Sequence, residues 1–252
     1  MRAIVSIALL VGACTSAEPS LVRSRAGQRS EPDSLWAKAV ELADRNRSWV
    51  AGRMEIRSQV QDGDGKIEQR EACSYRNLKA EGGRIRTELQ KATRDGKDVT
   101  SEKRASEASE KGDLVVRLHS DHPFLPEDQP KVALARTAKT KEIQGRQCIG
   151  YEYSLRIDAQ TSTSGTAWLD SQTGAPLEIE FSQRPLPPHT DRMRTSIRFE
   201  LSSAGCWRES GRRTEAEASF FFQTKHLLTE MSFGDYFRSE PTAGRGGSDA
   251  GT

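Results

Sequence analysis

The chain has 252 residues, with 38 basic against 36 acidic side chains and a formal charge of +2. That near balance leaves no basic surplus for nucleic acid and no acidic tail, so no nucleic-acid partner is expected. Hydrophobic residues make up 35% and charged ones 29%, a lean mixture that favours a fold with much wetted surface, such as a sheet exposed on one face.

Residues 1–13 open with Met1 and Arg2, run apolar from Ala3 to Val11 and end on two small residues before Cys14. One positive charge, a short apolar run and small residues at a cut site describe a secretory signal, and the run is too short to span a bilayer. Val11-Gly12-Ala13-Cys14 resembles the bacterial lipobox. The resemblance implies cleavage before Cys14, a diacylglycerol on its sulfur and an acylated amino end, enough acyl chain for stable membrane attachment. Thr15 after the cysteine, where the family places Asp for inner-membrane retention, implies the outer membrane facing the periplasm. Cleavage removes Arg2 and no acid, which lowers +2 to +1. Residues 14–32 then read as a flexible tether, polar and without apolar period.

The domain from 33 to 238 begins with a helix. Asp33 or Ser34 can cap it, and Trp36, Ala39, Val40 and Ala43 fall on one stripe of about four turns. Thereafter the apolar period is two. Met54, Ile56 and Val60 alternate with Arg and Glu, as do Ile85 and Leu89, then Ile149, Tyr151, Tyr153, Leu155 and Ile157. Leu177, Ile179 and Phe181 repeat the pattern, followed by Met193, Ile197, Phe199 and Leu201. Such rows give strands with one apolar and one charged face, and the turn signals DGDG (62–65), RDGK (94–97) and DSQTGAP (170–176) separate them. The expectation is a mainly β (α+β) domain: a large antiparallel sheet, wet on one side, with Arg and Glu paired across its strands. Between them, VTSEKRASEASEKG is polar all round, a surface helix or loop, and HSDHPFLPEDQP is irregular. The tail 239–252 is poor in core residues.

Cys73, Cys148 and Cys206 remain in the mature chain. Cys73 is in phase with Ile67 and Tyr75, whereas Cys148 is out of phase with Tyr151 and Tyr153, so no disulfide is expected. His119 and His122 precede a proline in a loop and lack further ligands; DGDGKIE has Lys66 where a calcium loop needs oxygen; Cys206 has no paired histidine. No phosphate loop, dinucleotide fingerprint or nucleophile elbow occurs, so neither enzyme activity nor a cofactor or metal is expected.

One helix of that length cannot cover so broad an apolar face, and the residue left over suits an apolar ligand. The order of helix, long antiparallel strands, polar interruption and further strands resembles the LolA/LolB-like lipoprotein-carrier superfamily, with GTAWLDSQTGAPLEIEF as a local echo. The resemblance implies an unclosed, curved half-barrel with helices across its mouth and an acyl-chain cavity. Met54, Ile56, Leu89, Tyr151, Tyr153, Ile179, Phe181, Ile197 and Phe199 are the strand residues expected to line it. In the lipid-anchored member of that superfamily a loop displays an exposed leucine; here RDGKDVT is polar at its tip, so no insertion function is carried over. The expectation is a membrane-anchored, periplasm-facing protein that binds an apolar or acyl-chain ligand. The alternative is an envelope sensor or assembly protein acting through a protein partner.

Overall fold

A computed structural model describes residues 33–80, 85–109, 122–201, 206–220 and 223–239. Cys14 with the lipobox, the tether, His119, Phe221, Phe222 and the tail beyond Ser239 lie outside the described residues.

Helix α1 (Ser34–Arg45) is shorter than the four turns expected, and it ends at Asn46. Asp33 is the cap: its carboxylate accepts from the Leu35 N–H at 3.0 Å. Twelve residues make a marginal helix in water, so its buried Leu35, Trp36, Ala39 and Ala43 have to supply what its backbone does not.

The strands are β1 (Trp49–Val50), β2 (Arg53–Asp62), β3 (Ile67–Lys79), β4 (Ile85–Arg94) and β5 (Lys97–Asp98), then helix α2 (Thr100–Ser109). A 3-10 helix (Pro126–Lys131) leads into β6 (Val132–Ile143), β7 (Arg146–Arg156), β8 (Ser162–Asp170) and β9 (Pro176–Arg184). The chain continues with β10 (Thr190–Leu201), β11 (Trp207–Phe220), β12 (Gln223–Gly234) and β13 (Phe237–Arg238). Eleven strands form one unclosed antiparallel sheet in the order β5-β4-β3-β2-β12-β11-β10-β9-β8-β7-β6, and β1 pairs with β13 in a separate ribbon. Two meanders therefore meet where β2 pairs with β12, and residues 99–131 connect one outer edge of the sheet to the other.

The turns follow their residues. Gly65, Gly96 and Gly174 have φ of 81°, 80° and 76°, the left-handed region that glycine adopts without penalty, at the three turns expected. A register shift between Trp168 and Leu169 places an extra residue in β9. That bulge takes Leu177 out of phase with Ile179 and Phe181, against the alternation expected, and packs it with Ile143, Cys148 and Trp168. Ile157 also departs: β7 stops at Arg156, leaving Ile157 42% exposed. Cys73, Cys148 and Cys206 are free thiols. Burial, with the Asp170 charge second, pushes the Cys148 thiol up to about 11.

Two carboxylates pin α1 and the β8–β9 turn. Asp33 accepts from the Tyr151 hydroxyl at 2.7 Å and from Arg136 at 3.1 Å. Asp170 accepts from Arg146 at 2.9 Å and from the N–H groups of Gln172 and Thr173. Burial alone would raise both; for Asp33 the Tyr151, Leu35 and Arg136 hydrogen bonds outweigh it, and for Asp170 the turn N–H groups and Arg146 do. Each carboxyl is held below the usual range, so its contribution to stability is present above about pH 4 and is lost as pH falls through the lower folded value. Urea titrations from neutral to acid pH should show stability falling below about pH 4, with a shallower fall in Asp33→Asn and Asp170→Asn. An identical slope in both variants would refute this.

Candidate functional site

The register aligns one row of side chains across the sheet: Tyr151, Ala167, Ile179, Ile197, Arg212, Met231, Ile56, Cys73 and Ala92. Successive strand residues alternate in face, so these share one face. Both helices lie on it, and the row is apolar at its two ends and broken by Arg212 in the middle. Two lobes result.

The first lobe is packed. Tyr151, Tyr153, Ile179, Phe181, Ile197 and Phe199 are buried together with Leu155, Ala167 and Leu169 against Leu35, Trp36, Ala39 and Ala43 of α1. The Trp36 ring stands 4.8 Å from Phe124 and 5.7 Å from Tyr151, and its indole N–H donates to Gln129 at 2.9 Å. Trp207 stacks on Phe199 at 4.3 Å and donates to the Pro176 carbonyl at 2.7 Å. His122 is set among the rings of Phe124, Phe199 and Trp207.

The second lobe comprises Met54, Tyr75, Leu89 and Ala92, with Ile56, Cys73, Val99, Met231 and Phe233 partly buried against them. Its cover is α2, and among the described residues of that helix none is buried; Ala105 and Ala108 face water. Polar contacts hold the helix instead. The Tyr75 hydroxyl donates to Glu107 at 2.8 Å, Arg104 donates to the Leu89 carbonyl at 2.9 Å, and the Thr100 hydroxyl accepts from the Ala92 N–H at 2.9 Å. Burial, then the bond to Glu107, pushes the Tyr75 phenol well above its ordinary value, so it remains a donor. Burial likewise raises the Cys73 thiol, which keeps it protonated and a poor nucleophile.

Of the nine residues expected to line one cavity, six therefore lie in the first lobe and three, Met54, Ile56 and Leu89, in the second. The seam between the lobes was not foreseen. Arg212 makes a two-pronged pair with Glu209, at 3.0 and 3.3 Å, with the side chains 15% and 13% exposed. Beside it the Thr195 and Thr214 hydroxyls lie 3.1 Å apart, and those of Ser58 and Thr229 3.4 Å apart. The periodicity of apolar residues carries no signal for such a seam.

The other face carries the charge lattice expected. Arg194 and Lys141 flank Glu180, Arg213 bridges Glu215 and Glu230 at 2.7 and 3.0 Å, and Lys139 meets Glu152 at 3.0 Å. Among the described residues no group of three His, Cys, Asp or Glu is arranged to hold a metal, and no helix is long and apolar enough to cross a membrane.

No protein-family model matches the sequence, and no curated protein does. Among solved structures the chain is similar to a LolA superfamily protein from Nitrosomonas europaea, at 13% identity and a TM-score of 0.37 over 82% of this chain and 94% of that one. A DUF1329 family protein from Desulfovibrio piger matches at 13% and 0.37 over 86% and 94%. The Pseudomonas aeruginosa MucA/MucB complex matches at 10% and 0.23 over 82% and 98%. At these identities and scores the likeness brings no ligand or partner with it, and the unclosed sheet is read from this chain's own strand pairing. The LolA-like layout that the order of elements resembles is one to which this chain is similar among solved structures.

Proposed function

We propose that the domain is a binding module of the bacterial envelope rather than an enzyme, tethered through Cys14 to the outer membrane and facing the periplasm. Its ligand is an apolar acyl chain, held in the second lobe between α2 and strands β2, β3, β4 and β12. One observation carries this reading: the two lobes on the helix-bearing face have unequal covers. The first is closed by α1 with four buried side chains, whereas the second lies under a helix held by polar contacts, with Ile56, Met231 and Phe233 only partly buried. A polar helix over apolar side chains gains little by staying and leaves room for a chain to enter.

Native mass spectrometry of the purified protein, followed by titration with a fluorescent acyl probe, tests it. Ile56→Gln with Phe233→Gln should weaken the probe about tenfold, since both positions are half-buried and each substitution introduces a polar group where methylenes would lie. Absence of any bound or titratable apolar ligand overturns the reading.

The charge lattice supports a second one, in which the opposite face meets a protein partner of the envelope. Arg57, Arg70, Glu68 and Glu230 surround a depression of about 730 Å³ there, a mixed-charge surface suited to specificity more than to affinity. Photocrosslinking from Arg57 in cells decides it: recovery of lipid alone ends this second reading.

A further inference from the structure

Among the described residues of α2, Thr100, Lys103 and Glu107 are half-buried and the others exposed. Spaced at i, i+3 and i+7, the three form one stripe along the helix. Hydrogen bonds fix where that stripe points. At one end the Thr100 hydroxyl accepts from the Ala92 N–H of β4 at 2.9 Å, and at the other Glu107 accepts from the Tyr75 hydroxyl of β3 at 2.8 Å. Lys103, between them, therefore faces the sheet. Ala92 pairs with Cys73, and Tyr75 follows two residues along on the same face of β3, so Lys103 lies over the neighbourhood of Cys73. In keeping with that position, burial raises the Cys73 thiol and the Lys103 charge opposes the rise. Glu107 is engaged by Tyr75, and Lys103 makes no ion pair among the described residues. A cation without a counter-charge thus sits between a polar lid and an apolar lobe.

We infer that the ligand of the second lobe is a fatty acid with an ionised carboxylate, and that Lys103 holds that carboxylate; the inference rests on the reading that this lobe takes an acyl chain. An ammonium partly withdrawn from water gains by meeting an opposite charge, and a carboxylate accepts from it in charge-assisted hydrogen bonds. The stripe also limits how much charge can be taken. Glu107, one turn on from Lys103, repels a second negative charge. Arg104, whose fork would suit a phosphate, is turned aside to the Leu89 carbonyl. A head group with a single negative charge fits that balance. From Cys73 the apolar row continues through Ile56 to Met231, two strand spacings or about 10 Å, before Arg212 interrupts it. A carboxylate at Lys103 places the methylenes on that row, where Ile56 and Met231 are only partly buried.

Calorimetric titration of the full-length protein at neutral pH with dodecanoate, dodecanol and dodecyl phosphate, each below its micellar concentration, tests the inference. Dodecanoate should bind about tenfold more tightly than dodecanol, and dodecyl phosphate no more tightly than dodecanoate. Lys103→Met keeps the apolar stem and should bring dodecanoate down to the affinity of dodecanol, whereas Lys103→Arg should retain the preference. Equal binding of dodecanoate and dodecanol by the native protein, or a preference that survives Lys103→Met, overturns the inference and leaves the acyl site standing. Equal weakening of both ligands in Lys103→Met would make Lys103 a structural anchor of the helix and overturns the inference in the same way. Tighter binding of dodecyl phosphate than of dodecanoate overturns the carboxylate assignment. Binding of none of the three overturns the acyl site as well.

Discussion

Trp36→Ala is expected to lower stability by about 3–5 kcal/mol, the usual cost of truncating a fully enclosed aromatic side chain. In a domain of this size that corresponds to a fall in Tm on the order of 10 °C. The ring is 4% exposed, contacts Phe124 and Tyr151, and ties the 3-10 helix to α1 through Gln129. Its loss would leave a cavity that α1, at twelve residues, cannot collapse to fill. Arg104→Ala removes the matching anchor of α2, hydrogen bonds from an exposed guanidinium to the Leu89 and Gln90 carbonyls. It should cost no more than about 1 kcal/mol while changing the affinity or uptake rate of an acyl probe. Calorimetry with probe titration on both variants separates a structural lid from a functional one. Comparable losses of stability, with probe binding untouched by Arg104→Ala, would contradict the division of the face into a sealed lobe and an open one.

Why the lobes were not separable in the sequence is a matter of what periodicity can see. Alternation in 149–155 and 179–181 identified residues that are indeed buried on one face, because a half-buried strand has to place every second side chain inward. The same rule is blind to β11, where the helix-bearing positions are Arg212, Thr214 and Ala216. Arg212 lies between Ile197 and Met231 and Ala216 between Met193 and Leu227, yet the strand carries no alternating apolar row of its own, and only pairing shows that it sits mid-sheet. Strand β6 was missed for a different reason: as an edge it is wetted on both faces and carries Arg136, Lys139 and Lys141, charges that discourage pairing with another chain. Leu177 was assigned to the wrong neighbours because a bulge inserts one residue without any change in composition. Phe124 lies in a segment that reads from the sequence only as irregular, and its place against Trp36 and Trp207 is set by tertiary packing that local pattern does not record.

The seam at Arg212 leads to the other large effect. Arg212→Leu should cost about 3–5 kcal/mol, because it strips a mostly buried Glu209 of its two-pronged partner and leaves a carboxylate poorly solvated. Were the pair an ordinary surface bridge, like that between Arg213 and Glu230, the same change would cost under about 1 kcal/mol. The double variant Arg212→Leu with Glu209→Leu distinguishes the two. It removes both charges together and extends the apolar row from Ile197 to Met231 without interruption, so much of the single-variant loss should return. Urea denaturation of the two variants and the native protein supplies the comparison, and strictly additive losses would show that the pair is not coupled. Restored stability together with altered acyl-probe stoichiometry would mean that the charged pair keeps two apolar surfaces apart, so that a chain bound in the second lobe does not run on into the first.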